Sequence, residues 1–209
     1  NGPTDKSSAL AATSKFYLRR AFLTLGDLNK SPFYFSAGRM YQSFGVYSSS
    51  LVTDIMTADL FKTDDIGAEL GYYNNGFHAD VYGYSSDNST VKNKKGVDKY
   101  GLGGGYKGTV LGGVQQINIG YISTVTDSID LHQVNVFANP KSLPYNVPAL
   151  DVQGNFTFNK FNFIAEYITT LKKYNSDFFN NTTTGKTNVS PSALDVELGY
   201  LFNIKNWPS

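Results

Sequence analysis

Acidic side chains recur at every second position in parts of this chain, and that spacing gives the first clue to its chemistry. Asp195 and Glu197 stand two residues apart in Leu194-Asp195-Val196-Glu197-Leu198-Gly199-Tyr200-Leu201-Phe202, and Glu166 falls in Phe161-Asn162-Phe163-Ile164-Ala165-Glu166-Tyr167. Side chains of a β-strand alternate between faces. Leu194, Val196, Leu198, Tyr200 and Phe202 therefore share one side and the two carboxylates the other. If the more apolar parity faces lipid, Glu69, His78, Asp80, Asp151, Glu166, Asp195 and Glu197 line the opposite face. Lys99 and Lys107 are their basic counterparts there, with Gln116, Asn118, Gln153 and Asn155 between. An acidic excess in a water-filled lumen favours cations and can bias which ions pass. The plainer account is that any aqueous barrel needs polar interior positions. Both accounts stay open at the level of sequence.

Other constellations are thinner. His78 and Asp80 share a strand face with Tyr82 and Tyr84, donors that suit a hard metal. Local spacing fixes no third carboxylate or imidazole, so no metal is assigned. Arg19, Arg20 and Arg39 could form the basic side of a channel eyelet, because guanidinium pairs well with carboxylate or phosphate. Equally, they could make structural salt bridges to Asp54, Asp59, Asp64 or Asp65. Gly103-Gly104-Gly105-Tyr106-Lys107-Gly108 satisfies GxGxxG without the strand–turn–helix context of a dinucleotide site. Those glycines suit a bent wall strand, or one packed beneath a bulky neighbour. Gly185-Lys186-Thr187 lacks the upstream Gly of a P-loop, since position 180 is Asn. The sequons at Asn88, Asn155, Asn181 and Asn188 reflect an Asn/Thr-rich chain, and a glycan would not fit at Asn155 in mid-strand. His78 and His132 have no nucleophile placed by motif, and Asp195 and Glu197 form a same-face ladder rather than two groups flanking a cleft. Neither an enzyme nor a cofactor is expected.

The elements that must position these residues are strands. Of 209 residues 41% are hydrophobic, and the weight lies in 15 Tyr and 15 Phe, as expected for rings at a membrane–water boundary. There is no run of ~18 apolar residues to make a transmembrane helix. A net charge of +1 argues against bulk capture of nucleic acid. The absence of Cys removes disulfides and thiol chemistry. Strands are predicted over 15–25, 33–39, 66–73, 77–85, 99–107, 114–122, 149–158, 161–170 and 194–202. Residues 1–14 are an irregular lead-in and 203–209 a turn. Asn74-Asn75-Gly76 and Asn159-Lys160 mark tight hairpins.

Long and short links alternate, as in bacterial barrels with short periplasmic turns and long outer loops. The excursion 41–65 carries one apolar stripe, Leu51, Ile55, Ala58 and Phe61, which needs a wall to pack on. It is expected to fold into the channel as a constriction, the alternative being a cap over the mouth. Leu131–Ala138 looks β-like, but giving it a crossing inverts every later loop, so 123–148 is assigned to one long outer loop. About nine crossings remain, an odd number that suggests an incomplete wall. The fold expected is all-β, an antiparallel transmembrane barrel of porin type, with residues 1–209 a single segment of a larger one.

Phe16-Tyr17-Leu18-Arg19-Arg20-Ala21-Phe22-Leu23-Thr24-Leu25-Gly26, followed by Phe35-Ser36-Ala37-Gly38-Arg39-Met40-Tyr41-Gln42-Ser43-Phe44-Gly45, is similar to a porin hairpin of the RRAxLxLG…AGRxxxxFG type. With Pro148-Ala149-Leu150-Asp151-Val152 and Asp195-Val196-Glu197-Leu198-Gly199-Tyr200, it resembles the siderophore porin family typified by the legiobactin receptor LbtU, with relatives in Francisella. The resemblance spans most of the chain and rests on barrel wall. It implies outer-membrane transport of iron, as ferric siderophore or ferrous ion, through a barrel without a plug domain. Partners would then be that iron ligand together with outer-membrane lipid and lipopolysaccharide. The alternatives are a general or anion-selective porin and a soluble β-rich binding or adhesion module.

Overall fold

Period-two alternation along this chain builds one sheet. The computed structural model describes residues 20–50, 55–85, 96–110, 112–126, 128, 146–173 and 190–202. Nine antiparallel strands follow one another in chain order: β1 Ala21–Leu25, β2 Phe33–Tyr41, β3 Asp64–Asn74, β4 Phe77–Ser85, β5 Lys99–Val110, β6 Gly113–Ile122, β7 Ala149–Phe158, β8 Phe161–Thr170 and β9 Ser192–Tyr200. A single short helix, α1 Met56–Phe61, interrupts the meander among the described residues. Among the described residues the sheet is open: β1 pairs with β2 alone and β9 with β8 alone. The lead-in 1–14, Arg19, Leu131–Ala138 and the turn 203–209 lie outside the described residues.

Tight turns fix the register. Asn75 and Gly76 have φ of 51° and 83°, a two-residue turn whose twist matches that of its strands. Pairing then steps diagonally across the sheet. The row starting at Phe33, first residue of β2, passes through Tyr72, Ala79, Gly104, Ile119, Val152 and Tyr167 to Leu194, third residue of β9. The strands are thus staggered against one another.

The two faces differ in chemistry. On one, Phe35, Leu70, Val81, Leu102, Ile119, Val152 and Val196 are all exposed. Ring pairs sit toward the tight-turn end of this face, Phe33 on Tyr72, Phe77 on Tyr106 and Phe161 on Tyr200, and Tyr100 lies on Tyr121 toward the other end. The other face carries the carboxylates, and chain from the connections covers it. Phe44, Phe61, Val125 and Val147 pack there on Tyr84, Ile122, Ala149, Ile168 and Ala193, which belong to the long-connection ends of the strands.

Glycine makes room for side chains that lie flat on the carboxylate-bearing face. Tyr82 crosses Gly101 of the neighbouring strand: a Cβ there would stand 2.2 Å from the Tyr82 ring and 2.6 Å from the Tyr121 carbonyl. The ring is nearly sealed, and its hydroxyl donates to that same carbonyl at 3.3 Å. Gly101→Ala is therefore expected to destabilise the sheet by about 1–3 kcal/mol, an overpacking penalty. Thermal unfolding of the parent and variant measures it.

Candidate functional site

The carboxylates hold the segment between β2 and β3. Gly45 and Tyr47 both adopt left-handed backbone, φ 76° and 49°. The Tyr47 ring folds back over Gly45, where a Cβ would lie 2.3 Å from the ring. This kink turns two successive N–H groups toward one point, the arrangement of a backbone anion nest. The anion is Glu166 of β8. Its Oε1 accepts from Val46 N at 2.9 Å and Tyr47 N at 3.0 Å, and its Oε2 accepts from Thr57 Oγ1 of α1 at 2.6 Å. Glu166 is 1% exposed. Burial, and then the negative charges of Glu166 and Asp151, push the Tyr47 phenol well above its ordinary pKa and keep it neutral.

Two more acids repeat the device at either side. Glu197 of β9 accepts from Ser49 Oγ at 2.5 Å and from Ser50 N at 2.7 Å. Glu69 of β3 accepts from Tyr34 OH at 2.8 Å and from Ser43 Oγ. The segment is therefore fastened to β3, β8 and β9 across the carboxylate-bearing face, with α1 packed on β8 and β9.

His78, Asp80 and Asp151 occupy a different part of that face. They line a cavity of about 340 Å³ between the Ser43–Val46 backbone and the sheet, together with Tyr34 and Asn118. Asp80 lies over Gly103, where a Cβ would meet its carboxylate at 2.4 Å, and His78 lies over Gly105. Asn118 donates to Gln153 at 2.5 Å. Asp195 is paired across the ladder with Glu166, and its Oδ2 has no hydrogen-bond partner.

Arg20 and Arg39, the two arginines among the described residues, are not gathered here. Arg39 has the parity of Phe33 and Phe35, on the face of exposed apolar residues, with its Nε 3.6 Å from Asp64. The guanidinium of Arg20 stacks 4.1 Å from the centre of the Tyr41 ring, which Lys62 also approaches to 4.2 Å. Of the basic counterparts, Lys99 is buried and Lys107 exposed.

Sequence reasoning passed over Ser43, Gly45, Tyr47 and Thr57, the partners that turn lining acids into anchors. The run Ser48-Ser49-Ser50 was a visible sign of available donors, but nothing in its spacing named Glu197 as acceptor.

No protein-family model matches the chain, and no solved structure matches it significantly. It is similar to curated proteins of two bacteria. A UPF0422 protein of Coxiella burnetii is 34% identical over 206 residues, covering 96% of this chain and 43% of that protein. A UPF0422 protein of Legionella pneumophila strain Lens is 30% identical over 213 residues, covering 94% and 38%. A third, from strain Philadelphia 1, is 28% identical over 214 residues with the same coverage. The chain spans about two fifths of the length of the curated relatives it matches.

Proposed function

We propose that this chain is part of the wall of an outer-membrane β-barrel that admits cations, and that the segment 42–63 narrows its passage. One observation carries the reading: a single sheet has a broad apolar face on one side, with Arg39 and Asp64 paired at its end, and a row of carboxylates on the other. Apolar patches on soluble monomers rarely exceed roughly 300–600 Å², whereas this one runs from Phe35 on β2 to Val196 on β9. Lipid is the solvent that suits such a face in this reading.

Three further features support it. The stagger from Phe33 to Leu194 is the slant that closing a barrel requires. The open edges of β1 and β9 leave places for further strands, and the curated relatives are more than twice as long as the stretch matched. The rings at both ends of the apolar face resemble the aromatic girdles of membrane barrels.

The cargo we propose is iron, as ferric siderophore or ferrous ion. It rests on the resemblance to siderophore porins, and an acid-lined passage suits a cation. Uptake of radiolabelled iron, free and chelated, by cells with and without the gene tests it, and equal uptake in both removes iron. Ion preference is a separate measurement. In planar bilayers under a salt gradient the intact protein is expected to give a reversal potential of cation sign. Asp80→Asn and Asp195→Asn should reduce it. A potential of anion sign, lost on replacing Arg19, Arg20 and Arg39 by Ala, would instead favour a general or anion-selective porin.

A further inference from the structure

The three anchoring acids have donors. Among the described residues Asp151 has none: it is 1% exposed, its Oδ1 has no hydrogen-bond partner there, and it lines the cavity beside the Ser43–Val46 backbone. A carboxylate sealed from bulk water without a donor is costly unless it takes up a proton or something positive or donating meets it. Across the cavity stand a second carboxylate, Asp80, the His78 ring and the hydroxyls of Tyr34 and Ser43, and among the described residues no Lys or Arg lines the space. We infer that this cavity is a binding site for a hydrated divalent metal ion.

Its dimensions support a hydrated ion over a bare one. Among the described residues no three His, Asp or Glu side chains converge closely enough to chelate a bare ion. The volume of about 340 Å³ exceeds what an ion with about six waters needs at ~30 Å³ per water. Hard cations of the magnesium or manganese type keep most of their shell and are held through one or two carboxylates. Asp80 and Asp151 would supply those, with Tyr34, Ser43 and Asn118 touching the waters. Glycines keep the space open, since a side chain at Gly103 would displace the Asp80 carboxylate. The site deepens the cation reading and rests on it only for lying along a route.

The probe is Mn²⁺, followed by water-proton relaxation on the intact protein folded in detergent. Saturable binding is expected, weakened at least about tenfold by Asp151→Asn or by Asp80→Asn, the effect of removing one close charge from a poorly solvated site. Asp27→Asn, in the exposed turn after β1, should change nothing. Neutralising an unpartnered buried acid is expected to leave folding intact. Mn²⁺ should therefore raise the melting temperature of the parent protein and no longer raise that of Asp151→Asn. Unchanged affinity in both variants, or displacement of Mn²⁺ by Na⁺ at matched ionic strength, overturns the site. If Asp151→Asn does not fold, Asp80→Asn decides by the same criterion. Cation-selective currents without saturable Mn²⁺ binding remove the site and leave the conduit. Saturable binding with anion selectivity does the reverse.

Discussion

Glu166→Ala is expected to release the segment between β2 and β3 from the wall and to raise single-channel conductance severalfold. The variant deletes the acceptor of three donors at once: Val46 N, Tyr47 N and Thr57 Oγ1. A buried donor left unmet costs about 1–3 kcal/mol, and bonds to a charged acceptor lie at the upper end. Local anchoring should therefore fall by roughly 3–9 kcal/mol. Tyr47 sits in left-handed backbone, an additional expense of about 1–2 kcal/mol that only the seated segment offsets. The sheet itself should persist, because its ladder bonds do not pass through this carboxylate. Glu166→Gln separates charge from geometry. Its amide oxygen still faces the two N–H groups and its amide nitrogen can donate to Thr57, so its effect should be a fraction of that of Ala. Conductance and noise recorded in planar bilayers check both. Parent-like currents from Glu166→Ala would show that the segment is held by its apolar packing instead.

The wall was far more legible in the sequence than the anchors. Alternation over Phe161–Thr170 and Ala149–Phe158 returned those strands at their observed ends, because period-two burial is written locally. Asn75-Gly76 marked its hairpin for the same reason. Boundaries drifted where a face lost its contrast. β5 runs on to Val110 through Gly108, a residue that weakens a strand signal. β9 starts at Ser192 and ends at Tyr200, short of the apolar Leu201 and Phe202. Parity also placed Glu166, Glu197, Glu69, Asp80 and Asp151 on one face. What it could not convey was their division of labour. Glu166 meets Val46 and Tyr47 across 120 and 119 residues of chain, and such a contact follows from tertiary closure alone. Asp151 differs from Glu166 only in having no donor near it, a difference that spacing does not encode. Arg39 shows the opposite case. Its odd parity beside Phe33 and Phe35 was readable, yet Asp64 became its partner only once β2 and β3 were in register.

Ile119→Arg should be the most damaging single substitution on the apolar face, and it decides what solvent that face meets. Ile119 is 57% exposed and stands in β6 between Gly104 and Val152 in the cross-strand row. In water an Arg at so exposed a position costs little, typically within about 0.5 kcal/mol, and would improve solubility. Facing hydrocarbon, the same guanidinium costs about 2–4 kcal/mol near the middle of the bilayer and less toward its edges. Asn155→Arg is the matched control, because Asn155 has the parity of Asp151 and Gln153 and lies one strand from Ile164, the cross-strand partner of Glu197. An Arg there meets water and nearby carboxylate, so little loss is expected. Reversible urea unfolding from lipid vesicles, with both variants side by side, reads the difference directly. A large loss for Ile119→Arg alone assigns lipid to the apolar face. Equal and small effects, with monodisperse protein in buffer free of detergent, would assign that face to water or to a protein partner. The sheet would then belong to a soluble binding module, and the acids would line its covered side rather than a pore.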